Sequence, residues 1–187
     1  MYQTLAAGSP ATGGGGWRSN RPQGVPGAPL PEIRRALSLG FPATRKLKLL
    51  IDTNILLDVV LERQPWVADA TGLLDAIAKG RAEGYIAGHA VTTVYYVVER
   101  TRDRILAATA VSDLLQLLTV VPLGSADFQR ALGLGVRDFE DASQVAACLQ
   151  VGADSLVTRN PKDFKGAPVP LRSAGEALGL LGMGGVE

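Results

Sequence analysis

A short apolar run that ends on a carboxylate and turns at once into a helix constrains this chain more than any other stretch. From Lys46 to Arg63 it reads KLKLLIDTNILLDVVLER. Leu47, Leu49, Leu50 and Ile51 have the density of a buried strand; Asp52, Thr53 and Asn54 interrupt it; Ile55, Leu56, Val59 and Val60 then recur at helical spacing. In an open α/β sheet, ligands occupy the crevice beyond the carboxyl ends of the strands, so a strand ending in Asp52 aims an acid at that crevice. Asp is also a good helix N-cap, which is the plainer reading of this stretch taken alone.

From Leu47 onward strands and helices alternate, the pattern of a mainly parallel sheet covered by helices on both faces. Helical spacing predicts helices over Val67 to Ala78 with a stop at Gly80, over Ala90 to Arg102, over Asp103 to Leu118, and from Ser125, a Ser cap, to Leu134. The helix carrying DASQVAACL and one capped by Ser173 complete the set. The third of these helices carries Ile105, Leu106, Val111, Leu114, Leu115 and Leu118 as its apolar residues. Strands are predicted over Glu83 to Ala87, Thr119 to Leu123, SLVTRN from Ser155, and near Pro168 to Leu171, giving about five with the first. The fold expected is a three-layer α/β/α domain.

Residues 1 to 44 have another character. GGGG at Gly13 to Gly16 and PQGVPGAPLP from Pro22 bring too little apolar surface to offset the entropy of ordering them. They are expected to form a disordered basic leader, with a helical turn or two over LPEIRRALSL from Leu30; residues 45 to 182 form the folded domain and 183 to 187 a short disordered tail. Up to Lys48 seven Lys and Arg face Glu32 alone, a net +6, so the remainder carries −5 of the total +1. A leader of this charge suits an RNA-attracting arm or a partner peptide, and equally a solvated tail. An acidic folded part is not the surface of a protein that grips nucleic acid all over; it gathers carboxylates somewhere.

No run of 18 apolar residues occurs and no charged-then-apolar signal opens the chain, so no membrane association is expected. Cys148 is the single cysteine, in an Ala-rich helical stretch, and reads as a packed thiol rather than a nucleophile. A cytoplasmic location fits.

Two later stretches carry chemistry. In RDFEDASQVAACLQVGAD, Asp138, Glu140 and Asp141 crowd the start of a helix whose buried face is expected to be Phe139, Ala142, Val145, Ala146 and Leu149. Acids favour a helix start through its dipole, which accounts for one or two of the three but not for a cluster. In DSLVTRNPKDF a second strand ends on polar groups, Thr158, Asn160 and Asp163. Carboxylates brought together repel unless a cation neutralises them, and hard oxygen ligands suit Mg²⁺ or Mn²⁺. Removing one of the crowded acids is therefore expected to leave the fold intact or slightly more stable. Neither His pairs nor Cys pairs exist for zinc, and the lone His89 reads as a turn or helix-cap residue.

The order LLIDTNILLD, DFEDASQVAA, GADSLVTRNPKDF resembles a PIN domain, the metal-dependent ribonuclease fold of VapC-like toxins from bacterial toxin–antitoxin pairs; the resemblance covers about Leu47 to Leu181. It implies that Asp52 is the first metal-binding acid, followed by the amide Asn54, and that Asp141 is the third, with Asp138 one turn earlier in support. Asn160 stands where the fourth acid is usual, with Asp163 three residues on. The position of the second acid, early in the helix after the second strand, holds Thr92, Thr93 and Val94, and the one acid of that helix, Glu99, comes more than a turn late. With these departures the resemblance is to a looser branch of the family.

By this resemblance the chain is a metal-dependent endoribonuclease, with Asp52, Asp141, Asp163 and Asn160 catalytic and Asp52 and Asp141 holding Mg²⁺ or Mn²⁺. Asn54, Thr158, Asp138 and Glu99 support them, and Arg159 and Lys162 contact RNA phosphates. The partners implied are an RNA substrate, a second copy in a homodimer, and an antitoxin that inserts a basic side chain into the acidic pocket. The alternative is a catalytically weak or inactive PIN-like module that binds RNA or a partner.

Overall fold

The structure is a computed structural model that describes residues 45–183, and the expectations for the leader and for most of the tail lie outside those residues. Strand β1 (Leu47–Ile51) leads into helix α1 (Thr53–Val60), and α2 (Val67–Ala78) precedes β2 (Ala82–Ala87). Helices α3 (Gly88–Thr101) and α4 (Arg104–Leu117) lead to β3 (Thr119–Val121), and α5 (Ser125–Gly133) and α6 (Phe139–Val151) to β4 (Ser155–Val157). Strand β5 (Leu171–Arg172) and α7 (Ala174–Met183) follow.

All strand pairs are parallel, in the order β3-β2-β1-β4-β5. The chain steps outward from β1 to β2 to β3 and then jumps back across β1 to β4. Right-handed crossovers therefore put α1 to α4 on one face and α5 and α6 on the other. The direction reverses between β1 and β4, which makes the carboxyl ends of those two strands the topological switch point where an α/β sheet opens a crevice.

The central strand is covered on both faces: Leu49, Leu50 and Ile51 are fully buried, which is why its sequence is a continuous apolar run rather than an alternation. Gly84 in β2 permits close packing on one side, since a Cβ there would stand 2.5 Å from Leu118 and 3.0 Å from Ile77. Helix α6 ends at Gly152, whose left-handed φ of 58° lets its N–H reach back to Cys148 and Leu149. Among the described residues no helix is long and apolar enough to cross a membrane.

Most of the expected elements form, and the departures have a physical origin, among them β3, which ends at Val121 rather than Leu123 because Pro122 has no N–H for a ladder. SLVTRN pairs only as Ser155–Val157, because the Asn160 N–H turns back to Thr158 Oγ1 at 3.0 Å and ends the strand. The last strand is Leu171–Arg172 rather than Pro168 to Leu171, since Pro168 and Pro170 have no N–H for a ladder. Helix α5 is capped at Gly124, whose N–H meets the Asp127 carboxylate at 3.0 Å, not at Ser125. In α4 the apolar residues run round the helix, and while Leu114 is buried, Ile105 is 80% and Leu115 50% exposed. Phe139, assigned to the buried face of α6, is half exposed: the first turn of α6 meets α5 there, through Phe128 at a ring separation of 6.0 Å.

Candidate active site

Asp52 is the first residue after β1, and Thr158 the first after β4. Because Ile51 and Val157 are register partners, these two polar residues emerge side by side at the switch point. Asp52 is fully buried. Its Oδ1 accepts from the Asn54 N–H at 3.3 Å, the helix cap expected of an Asp here. Oδ1 also accepts from Gln144 Nε2 at 3.0 Å, and Oδ2 from the Thr158 hydroxyl at 2.7 Å. Capping and site-building are thus carried out by one carboxylate.

Gln144 comes from α6, which crosses this end of the sheet. It is 1% exposed, and its Oε1 accepts the Thr53 N–H at 3.3 Å while its amide holds Asp52. Thr53 in turn donates its hydroxyl to Glu140 Oε1 at 3.0 Å. Gln144 was not among the residues picked from the sequence, and Thr53 and Glu140 were noted there without a role at the site. The available signal was a Gln in the Ala- and Val-rich run of α6, since a buried polar residue is the informative exception in an apolar face.

The start of α6 supplies the acids. Asp138 is its N-cap, with Oδ1 accepting from the N–H groups of Glu140 at 2.8 Å and Asp141 at 3.3 Å. Glu140 is pushed above the usual carboxylate range, first by burial. Asp141 is pushed up to about 7, first by burial and then by the negative charges of Asp52, Asp138, Glu140 and Asp163. Asp138, Asp141 and Asp163 line a cleft of about 670 Å³ together with Gly135, Arg137, Lys162 and Lys165. A second cleft of about 410 Å³ shares Lys162 and Asp163 and adds Arg159, Asn160 and Pro161.

Of the residues expected at the site, the fold brings Asp52, Thr158, Asp138, Asp141, Asp163, Asn160 and Lys162 to this end of the sheet, with Asn54 in the first turn of α1. Glu99 is elsewhere. It is exposed, roughly 16 Å along α3 from its first residue, and lines neither cleft. Thr92 and Thr93 donate their hydroxyls to the His89 carbonyl, so no carboxylate stands at that turn. Arg159 is directed inward: Nη1 donates to the buried Asp58 at 2.6 Å, and the guanidinium lies 4.4 Å from the centre of the Trp66 ring. His89 sits in the first turn of α3 with its ring near Glu140, Nε2 to Oε1 being 4.0 Å, and burial holds its pKa below the usual value. Cys148 is fully buried, its thiol pushed up to about 12 by burial, as a packed thiol should be.

The donor set is oxygen throughout: carboxylates, side-chain amides and hydroxyls. Among the described residues no three of His, Cys, Asp and Glu form a ready-made metal cluster. Yet burial and then negative neighbours push Asp141 up to about 7, and the repulsive part of that cost is what a hard divalent cation offsets. An oxygen-only donor set of this kind has the chemistry that a hard divalent cation takes.

Comparison with known proteins agrees with this geometry. Residues 48–162, more than half of the chain, match the family described as PIN domain. Ribonuclease VapC1 of Aquifex aeolicus (strain VF5) is 24% identical over 122 residues, which cover 63% of this chain and 83% of that protein. Among solved structures, VapBC2 from Rickettsia felis, bound to a DNA fragment from its promoter, aligns with a TM-score of 0.56 at 18% identity, covering 68% of this chain and 98% of that one. A toxin–antitoxin complex from Klebsiella pneumoniae aligns with a TM-score of 0.52 at 22% identity, covering 67% and 97%. A parallel sheet of this order, an acid at the end of its central strand and a family match over more than half of the chain lead to one conclusion: the chain belongs to the PIN domain family.

Proposed function

We propose that this protein is a metal-dependent ribonuclease that hydrolyses RNA phosphodiester bonds, and the toxin of a toxin–antitoxin pair. The observation that carries the reading is the convergence of Asp52 and Asp141 at the switch point, with Asp141 pushed up to about 7 first by burial and then by its acidic neighbours. The similarity to Ribonuclease VapC1 supports the chemistry, and the toxin–antitoxin complexes among its structural relatives support the biological role.

Asp52 and Asp141 would hold Mg²⁺ or Mn²⁺. When bound, such an ion offsets charge building on the phosphate oxygens and lowers the pKa of water, so that hydroxide is available near neutral pH. Asp52 is kept in one orientation by Thr158 and Gln144, which spares the site a reorganisation cost when substrate arrives. Asp163 and Asp138 stand at the cleft wall to steady water by hydrogen bonds, and Asn160 offers an amide to water or phosphate, a part that Asn54 in the first turn of α1 would share. Lys162, with Arg137 and Lys165, attracts the flanking backbone phosphates into an otherwise acidic cleft. Arg159 holds the adjoining wall. A second copy of the chain and an antitoxin with a basic side chain for the acidic cleft complete the reading.

The departures at Thr92, Thr93 and Glu99 favour a second reading, a PIN-like module that binds RNA or a partner without cleaving. A metal-dependent cleavage assay on mixed RNAs separates the two. The wild type is expected to cleave with Mg²⁺ or Mn²⁺ and to stop in EDTA, whereas Asp52→Asn and Asp141→Asn are expected to be inactive. In a bacterium, expression of the wild type should slow growth and Asp52→Asn should not. Equal toxicity of the two, with no cleavage by either, would establish the binding module.

A further inference from the structure

Beyond the acid cluster, a second feature is built around Arg159. Asp58 on α1 is fully buried and accepts from Arg159 Nη1 at 2.6 Å, with Arg63 Nη1 3.9 Å from the same oxygen. Pinned in this way, the Arg159 guanidinium lies over the Trp66 ring, 4.4 Å from its centre. Trp66 nevertheless remains 45% exposed. A large ring held in one orientation at the surface is unusual, because an indole normally buries most of its area.

The ring borders a cavity of about 170 Å³ lined by Ile55, Trp66, Asp69, Arg159, Ser173 and Ala174. Arg159 is also a wall of the 410 Å³ cleft, and Lys162 and Asp163 join that cleft to the one lined by Asp138 and Asp141. The three spaces share lining residues in series, Lys162 and Asp163 between the first two and Arg159 between the last two.

We propose that Trp66 and Arg159 form a base-stacking subsite for single-stranded RNA, seating an unpaired base next to the nucleotide whose phosphate reaches the acids. The proposal rests on the ribonuclease reading above and names a place where that substrate is gripped. Unpaired bases stack on aromatic rings and guanidinium planes, and a ring already fixed loses little freedom when a base covers it. Asp69 selects the occupant. Its carboxylate repels a phosphate, so a neutral base enters, and it accepts from an exocyclic amino group, which adenine, guanine and cytosine carry and uracil lacks.

The test uses the full chain with Trp17→Phe, which leaves Trp66 as the sole tryptophan, in EDTA so that RNA is bound and not cut. Tryptophan emission and anisotropy of labelled RNA are read with single-stranded A6 and U6. The expected result is quenching of Trp66 by A6, tighter binding of A6 than of U6, and a loss of about tenfold in A6 affinity on Trp66→Ala, restored by Trp66→Phe. Asp69→Asn should narrow the gap between A6 and U6. Binding of A6 with unchanged Trp66 emission, and equal affinity in folded Trp66→Ala, would overturn the subsite and leave the ribonuclease reading standing. Failure of the parent protein to cleave RNA with Mg²⁺ or Mn²⁺ would overturn the ribonuclease reading and this proposal with it.

Discussion

Thr158 donates its hydroxyl to Asp52 Oδ2 at 2.7 Å, joining the first residue beyond β4 to the first beyond β1. The bond spans 106 positions of sequence and follows directly from the parallel register that pairs Ile51 with Val157. It also means that Asp52 is held by three donors, where Asp141 is surrounded by negative charge. The two acids of the proposed metal site therefore stand in different surroundings in the metal-free protein.

The first prediction follows for Asp141. Its pKa is about 7 in the folded chain against 3.8 as the reference, so the native state holds a proton that the unfolded chain has released. Stability of the metal-free protein should then fall as pH rises from about 4 to about 7, and flatten above. Asp141→Asn should remove most of that slope and raise stability at neutral pH. Urea titrations in EDTA at several pH values check it; a slope unchanged in the mutant would contradict the assignment.

Asp52→Asn should behave in the opposite sense, so the relief of crowding expected from the sequence for either acid is predicted here for Asp141 and not for Asp52. An amide at position 52 presents an NH₂ group to the Thr158 hydroxyl or the Gln144 amide, which donate there now. Gln144→Leu should be more costly, because it leaves the Thr53 N–H and a buried carboxylate short of partners, a loss of about 2–3 kcal/mol. Chemical denaturation of the two variants measures this, and a gain in stability from either would be incompatible with the network.

Arg159→Ala should destabilise by about 3–5 kcal/mol near neutral pH, since it strands Asp58, a fully buried carboxylate with one oxygen unpartnered among the described residues. Burial already pushes Asp58 above the usual carboxylate range, with Arg159 the main opposing influence. Without the arginine the folded-state pKa rises further, so the penalty of the mutant should grow with pH above about 4 and shrink in acid. A double-mutant cycle with Asp58→Asn should recover much of the loss.

A chain starting at Arg45 should melt as the full chain does, because the buried core among the described residues runs from Leu49 to Leu181. Any contribution of the basic leader should appear in RNA binding instead, as a gain over the shortened chain that falls steeply with added salt. Thermal melting and binding at two salt concentrations decide it. A large drop in melting temperature on truncation would show that residues 1 to 44 pack onto the domain.

What was legible in the sequence was local. The run from Leu47 to Ile51, its end on Asp52 and the helix that follows are visible because burial on both faces demands an apolar run, and a cap must sit at the helix start. Helix α2 keeps the bounds Val67 to Ala78 that its spacing and Gly80 implied. Ser173 caps α7, its Oγ accepting the Glu176 N–H at 3.2 Å while its own N–H reaches the Glu176 carboxylate at 2.7 Å. Each of these is settled within a few residues, by hydrogen bonds and side-chain spacings that the sequence carries in one window.

Who meets whom was decided only by the tertiary structure. Gln144 reaches Asp52 because α6 crosses the end of β1, 92 positions away in sequence. Arg159, one residue beyond Thr158, turns to Asp58 and Trp66 instead of to the acids, because a fully buried carboxylate on α1 draws the nearest cation. Glu99 is excluded by the rise of the helix that carries it, and Phe139 stays half exposed because α6 begins where α5 alone covers it. Periodicity and capping act along the chain, whereas strand register and helix crossing act across it; the acids are written in the first, and the network that positions them exists only through the second.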